Sequence, residues 1–209
     1  FGRIMGETVG FIANQPKIKA GCFDIDASDK FARFTDILDC YNIPMITLTD
    51  TSGFLPGKDQ EHGGLIRHGA KALEAAYRAT VPKIQVVLRK QIGGAGMPMG
   101  LNLFNLDMNL YWPTLQYGLM DSKSACRFIA RKKIAEKPEK AEEILRETME
   151  EFENARTPYA MAGQLWADDV IEPSETRMYL IRGLEMLKNK NPDLIQIPER
   201  KKKHAVSPR

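Results

Sequence analysis

The chain has 209 residues, 43% of them hydrophobic and 27% charged, with a formal net charge of +3. This is the make-up of one globular domain with enough chain for a sizeable core. Much of the positive excess lies in the last segment, "ERKKKHAVSPR", which leaves the body close to neutral and excludes a nucleic-acid surface there.

Cys22, Cys40 and Cys126 are widely spaced and match no CxxC or Cys/His pattern, so neither a disulfide framework nor a zinc site is indicated. No apolar run approaches the roughly 18 residues of a membrane span, and no signal peptide opens the chain. A reducing compartment follows, the cytoplasm or, in a eukaryote, the mitochondrial matrix. The sequence begins at Phe1 and reads like the middle of a protein, so it is expected to be a fragment of something longer.

In chain order, "ETVGFIAN" alternates and is rich in β-formers, which predicts an opening strand. "ASDKFARFTDILDCYN" sets Phe31, Phe34, Ile37, Leu38 and Tyr41 at helical spacing, with Ser28 or Asp29 as the cap. "IPMITLTD" is a short apolar strand ending at Asp50, and "TSGFLPGKDQEHGG" reads as a loop. A helix, "LIRHGAKALEAAYRAT", and a strand, "VPKIQVVLRK", follow, and the strand runs into "QIGGAGMPMG". Such an order makes neighbouring strands parallel in an α/β fold, with ligands beyond the strands' carboxyl ends. Both "SGFLPG" and "GGAG" fall at those ends.

Further on, "NLYWPTLQYGLMDSKSACRF" gives a short strand and a helix start. "KPEKAEEILRETMEEFENAR" places Ile144, Leu145, Met149 and Phe152 on one stripe of a solvated or partner-docking helix. Pro173, Ser174 and Glu175 open a last helix. The basic end, 196–209, is expected to be a flexible tail, with an anion contact as the alternative.

The chemistry is sparse. His62 and His68 are six apart, whereas metal pairs on one helix are spaced by about three to five, and no third ligand stands near. A Ser52, His68, Asp50 triad can be drawn, but Ser52 lacks the flanking glycines of a nucleophile elbow. "GGAGMPMG" is neither a GxGxxG fingerprint nor a P-loop. Two readings of it remain: a plain turn, or a pair of amide N–H groups aimed at one oxygen, an oxyanion hole.

Several segments, in order and at similar spacing over about residues 3–195, resemble the carboxyltransferases of the biotin-dependent acyl-CoA carboxylases and decarboxylases. They are "VGFIANQP", "AGCFDIDASDKFARF", "CYNIPMITLTDTSGFLPGKDQEHGGLIRHGAKALEAAYRATVPKIQVVLRKQIGGAG", "YWPTLQYGLM" and "VIEPSETR". The similarity is to the C-terminal carboxyltransferase domain, as in the β subunit of propionyl-CoA carboxylase. It implies a crotonase-like superhelix of ββα units over residues 1–195, usually a trimer or hexamer. It also implies CO2 transfer between biotin, held on a separate carrier domain, and an acyl-CoA, with no metal. An N-terminal sister domain, absent from this sequence, holds most of the CoA; a biotin carboxylase subunit completes the complex.

On this resemblance Gly94 and Ala95 supply the oxyanion amides, for the ureido oxygen of biotin or for the enolate. Phe54, Leu55, Pro56, Gly57, Gly93 and Gly96 line the biotin end, and Met97 faces the acyl group. Gly63, Gly64 and Arg67 fall to helix-start packing near the site. The departures are Gly96, Met97 and Pro98, where an aromatic residue is usual at 96, and the stretch 105–108. They leave room for an unusual acyl-CoA, for a decarboxylase, or for a scaffold subunit without the reaction.

Overall fold

A computed structural model of the chain describes residues 1–100 and 106–190. The expected tail at 196–209 and Asn105 of the 105–108 departure lie outside the described residues.

A short strand, β1 (Gly2–Ile4), pairs antiparallel with β2 (Glu7–Ala13). The chain then enters α1 (Ile25–Cys40), β3 (Met45–Thr51), a short α2 (Lys58–Gly63), α3 (Leu65–Arg78) and the long β4 (Lys83–Ile92). After a brief α4 (Gly96–Gly100) come β5 (Met108–Tyr111), β6 (Gln116–Gly118), α5 (Ser122–Glu136) and α6 (Ala141–Asn154). The last elements are α7 (Pro158–Gly163), β7 (Asp169–Val170) and α8 (Thr176–Met186). Among the described residues no helix is long and apolar enough to cross a membrane.

The sheet runs β1-β2-β3-β4-β5-β7, and every pair after the first is parallel, as the alternation of strands and helices requires. β4 is long enough for two neighbours on one side. Its first half pairs with β5, and Lys90, Gln91 and Ile92 pair with β6.

Period-two alternation gives the central strands two unlike faces. Ile46, Ile84, Val86 and Leu110 form an apolar layer with Leu180 and Leu184 of α8. The opposite face carries Thr47, Thr49, Lys83, Gln85, Gln91 and Asn109, all buried. It lies under α3 and α4: Lys83 Nζ donates to the Ala76 carbonyl at 2.8 Å, and side chains built at Gly96 and Gly100 would meet Gln91 and Gln85. Between this layer and the helices sits a second apolar cluster of Phe23, Phe31, Ala72, Ala76, Ala95 and Met99.

The expected cap of α1 is corrected. Asp24 caps the helix, accepting the Ala27 N–H at 2.9 Å, because the chain is fixed at Phe23 and turns helical at once. Ser28 instead donates to the Asp24 carbonyl, and Asp29 faces α3, bound to His68 at 2.9 Å and Lys71 at 3.0 Å. Pro173–Glu175 forms a 3-10 turn that leads into α8, with Glu172 and Glu175 making a capping box.

Candidate active site

Asp50 organises the ends of β3 and β4. The pairing slips here: Thr49 faces Val87, but Thr51 faces Gln91. The buried Asp50 carboxylate spans that irregularity, accepting the Lys90 N–H at 3.3 Å and pairing with Arg89 at 3.1 Å. The Lys90 ammonium crosses to the Ser52 hydroxyl at 2.6 Å and the Ala20 carbonyl at 3.2 Å. These bonds bring the loops after both strands together.

The "SGFLPG" loop is held by backbone bonds. Phe23 N–H donates to Gly53 O at 3.0 Å, and Leu55 N–H to Phe23 O at 2.8 Å. The Phe54 ring stands edge-on to Phe23, centroids 6.2 Å apart. It is confined by two glycines: a Cβ at Gly69 of α3 would lie 2.7 Å from its Cζ, and one at Gly94 would lie 3.2 Å from its Cε2.

β4 ends at Ile92, and Gly93 follows, whose φ of +65° is left-handed and whose N–H donates to Gly118 O at 2.8 Å. A side chain there would sit 3.3 Å from Gly53 Cα, so the two loops touch backbone to backbone. The Gly96 N–H closes onto Gly93 O at 3.3 Å and the Met97 N–H onto Gly94 O at 3.1 Å. Between them, the Gly94 and Ala95 N–H groups find no acceptor among the described residues. Ala95 is fully buried, and an unpaired amide at such a place carries a desolvation cost that a ligand oxygen would relieve.

Of the residues singled out in the sequence, Phe54, Gly93, Gly94, Ala95 and Met97 come together: Met97 Cε would lie 3.5 Å from a Cβ at Gly94. Leu55 is half-buried beside Phe23, and Pro56 and Gly57 are exposed where α2 begins. Gly96 is buried on the inner side of the turn, its Cα face against Gln91. At Gly64 the left-handed φ of +89° links α2 to α3, and the Arg67 side chain folds over it.

Ser52, His68 and Asp50 each have a separate partner (Lys90, Asp29 and Arg89), so no triad is assembled. Burial alone would raise the Asp29 carboxyl, but the bonds from His68 and Lys71 hold it below its ordinary value. Burial pushes the Cys22 thiol up, only partly offset by Lys90, so it is no ready thiolate. No group of three or more His, Cys, Asp or Glu among the described residues is placed to hold a metal. A cavity of about 440 Å³ opens between the end of β2 and α1, lined by Phe11, Asn14, Phe23, Phe31, Phe34 and Met99 among others. Neither Gly94 nor Ala95 lines it.

The sequence reading missed Gln85 and Gln91, which pack beneath α4, although two glutamines inside an apolar strand were a visible signal. It also missed the Lys90–Ser52 tie, which depends on the pairing slip between β3 and β4.

Known proteins supply the remaining evidence. The chain is 46% identical over 212 residues to the biotin-dependent acetyl-/propionyl-coenzyme A carboxylase beta5 subunit of Mycobacterium tuberculosis, covering all of this chain and 38% of that protein. It is 43% identical over 197 residues to methylmalonyl-CoA decarboxylase subunit alpha of Propionigenium modestum, covering 93% of this chain and again 38% of the relative. The crystal structure of transcarboxylase 12S, a hexamer assembly with methylmalonyl-coenzyme A bound, superposes with a TM-score of 0.87 at 44% identity. That match covers 90% of this chain and 36% of the other. The chain thus spans under two-fifths of the length of these relatives. The fold is α/β and crotonase-like, and, with residues 1–204 matching the carboxyl transferase domain, the chain belongs to that family.

Proposed function

We propose that this chain is the biotin-receiving half of a carboxyltransferase that moves CO2 between carboxybiotin and an acyl-CoA. The observation that carries the reading is the Gly94–Ala95 pair: two amides without acceptors among the described residues, at the bared end of β4, in a chain of this family. Biotin, when bound, supplies the CO2 carrier nitrogen and the base. The chain supplies preorganised donors: both N–H groups meet the oxygen on which negative charge grows, the ureido oxygen first and the enolate as the alternative. Donors of this kind lower a barrier by a few kcal/mol each, about 3–4 in favourable cases.

Phe54, Leu55, Pro56, Gly57, Gly93 and Gly96 form the biotin end of the cleft, and Met97 stands toward the acyl group. An N-terminal sister domain holds the CoA, a carrier domain delivers the biotin, and a biotin carboxylase subunit recharges it. The assembly is a trimer or hexamer in the cytoplasm, or in the mitochondrial matrix of a eukaryote. Residues 1–195 act as the C-terminal carboxyltransferase domain of this machinery, with 196–209 as its tail.

A second reading, a decarboxylase or a scaffold subunit, draws on Gly96. Gln91 occupies the space beside it, so a side chain at this position would require Gln91 to shift. Turnover of malonyl-, methylmalonyl-, glutaconyl- and bulkier acyl-CoAs, with and without free biotin, tests both in the assembly with the sister domain. Biotin-dependent loss or gain of CO2 on one of them is the expected result. No turnover of any, by a protein that still assembles, gives the scaffold reading.

A further inference from the structure

α4 has a glycine at each end, and each rests on a glutamine of β4. A Cβ at Gly96 would lie 2.9 Å from Gln91 Cγ, and one at Gly100 would lie 3.1 Å from Gln85 Cβ and Cδ. Both glutamines are almost fully buried. Their carboxamides form a chain: Gln85 Nε2 donates to Thr49 Oγ1 at 2.8 Å, Gln91 Nε2 to Gln85 Oε1 at 3.4 Å, and the same Nε2 to the Gly96 carbonyl at 3.4 Å. The chain runs from β3 through β4 to the residue that follows the Gly94–Ala95 amides.

Gln91 Oε1 is buried and has no partner among the described residues. A methionine of similar length would fill the same space and remove this orphan, but would leave the buried Gln85 Oε1 without its donor. What the carboxamide adds at the turn is its Nε2–H donor to Gly96 O, beside the bond to Gln85 Oε1. That donor pins the Gly96–Met97 peptide, two beyond the one that carries the Ala95 N–H, while Phe54 confines Gly94.

We propose that Gln91 is a positioning residue that fixes the direction of the Gly94 and Ala95 N–H groups, with Gln85 and Thr49 holding it in place. The proposal rests on the assignment of those amides to the oxygen that gains charge in CO2 transfer. Its mechanism is geometric: donors turned away from that oxygen lose transition-state stabilisation, and small misplacements are expensive in rate.

Gln91→Met in the assembled carboxyltransferase tests it, with Gln91→Leu, one atom shorter, as a second variant that tolerates different packing. The expected result is a fall in kcat of about tenfold or more, with KM for acyl-CoA within about twofold. The Tm shifts little, because the unpaired Gln91 Oε1 is gone while Gln85 Oε1 loses its donor. Amide exchange over 93–97 speeds up while that of β4 and α3 does not. A lower Tm with unchanged kcat per folded molecule means a purely structural glutamine and overturns the proposal. Gly94→Val separates the two levels. If it abolishes turnover and Gln91→Met does not, positioning by Gln91 is wrong and the amide reading stands. If neither changes turnover, the amide reading itself fails.

Discussion

Placing one methyl group on Gly94 is the most discriminating perturbation of the proposed oxyanion site. Its Cβ would fall 3.2 and 3.3 Å from two carbons of the Phe54 ring and 3.5 Å from Met97 Cε. Met97 can swing away, but Phe54 cannot: the α3 backbone at Gly69 stands behind it, where a Cβ would already be 2.7 Å from Cζ. The misfit of a few tenths of an ångström therefore falls on the Gly94–Ala95 main chain. Overpacking of this kind costs about 1–3 kcal/mol of stability, and removing one oxyanion donor costs roughly 10²–10³ in kcat. A partial displacement by Gly94→Ala should cost about tenfold, and the branched Gly94→Val about a hundredfold or more. The assay is CO2 transfer per folded molecule, with Tm recorded beside it. Combining Gly94→Ala with Phe54→Leu should restore part of the lost rate, because the pair shares one contact. A folded Gly94→Val variant that retains about half its activity or more would refute the reasoning.

Other expectations concern the frame around the site. Burial, with Lys190 adding to it, pushes the Lys83 ammonium down to about 8 from 10.5. Its folded value lies below its unfolded one, so the cost is full below pH 8 and fades as pH climbs toward 10.5. Lys83→Met should stabilise the protein by about 1–3 kcal/mol at pH 7 and flatten the rise in stability over that window, read as urea midpoints against pH. Asp24→Ala should cost about 1 kcal/mol through loss of the α1 cap. The Lys19 bond first, then the Ala27 N–H, hold the Asp24 carboxyl below its ordinary value, so the parent's advantage exists above that value and vanishes on acidification through the folded one. Asp50→Ala leaves the Lys90 N–H without its carboxylate and should cost about 1–3 kcal/mol. It should also lower turnover by loosening the loops, and unchanged activity with lowered stability would confine Asp50 to the frame.

The frame was legible where one period dominates. β2, β3, α1 and α3 follow from apolar spacing, and β4 was recognised up to its last two residues, Gln91 and Ile92, which read as the beginning of the glycine run. α2 was invisible because "KDQEHG" is a six-residue turn of helix with no buried residue to set a period. β6 and β7, three and two residues long, exist only through their pairing with β4 and β5. Both site loops were identified from their glycines, but their contact depends on the slip at Asp50, which is a fact of register. The opposition of Gln91 and Gly96 is still less visible, since the carboxamide reaches Gly96 only after the chain reverses at Gly93.

The two unlike faces of the central strands have a consequence for folding. Sliding one strand by one residue would turn Thr47, Lys83 or Gln85 toward Leu180 and Leu184, and Ile46 or Val86 toward the acceptors that those polar groups use. Every such misalignment strands several hydrogen-bonding groups at once. The buried polar layer thus acts as a lock on alignment: it adds little attraction of its own, but it disfavours near-miss arrangements of the sheet and leaves one register, on which the place of the loop after β4 depends.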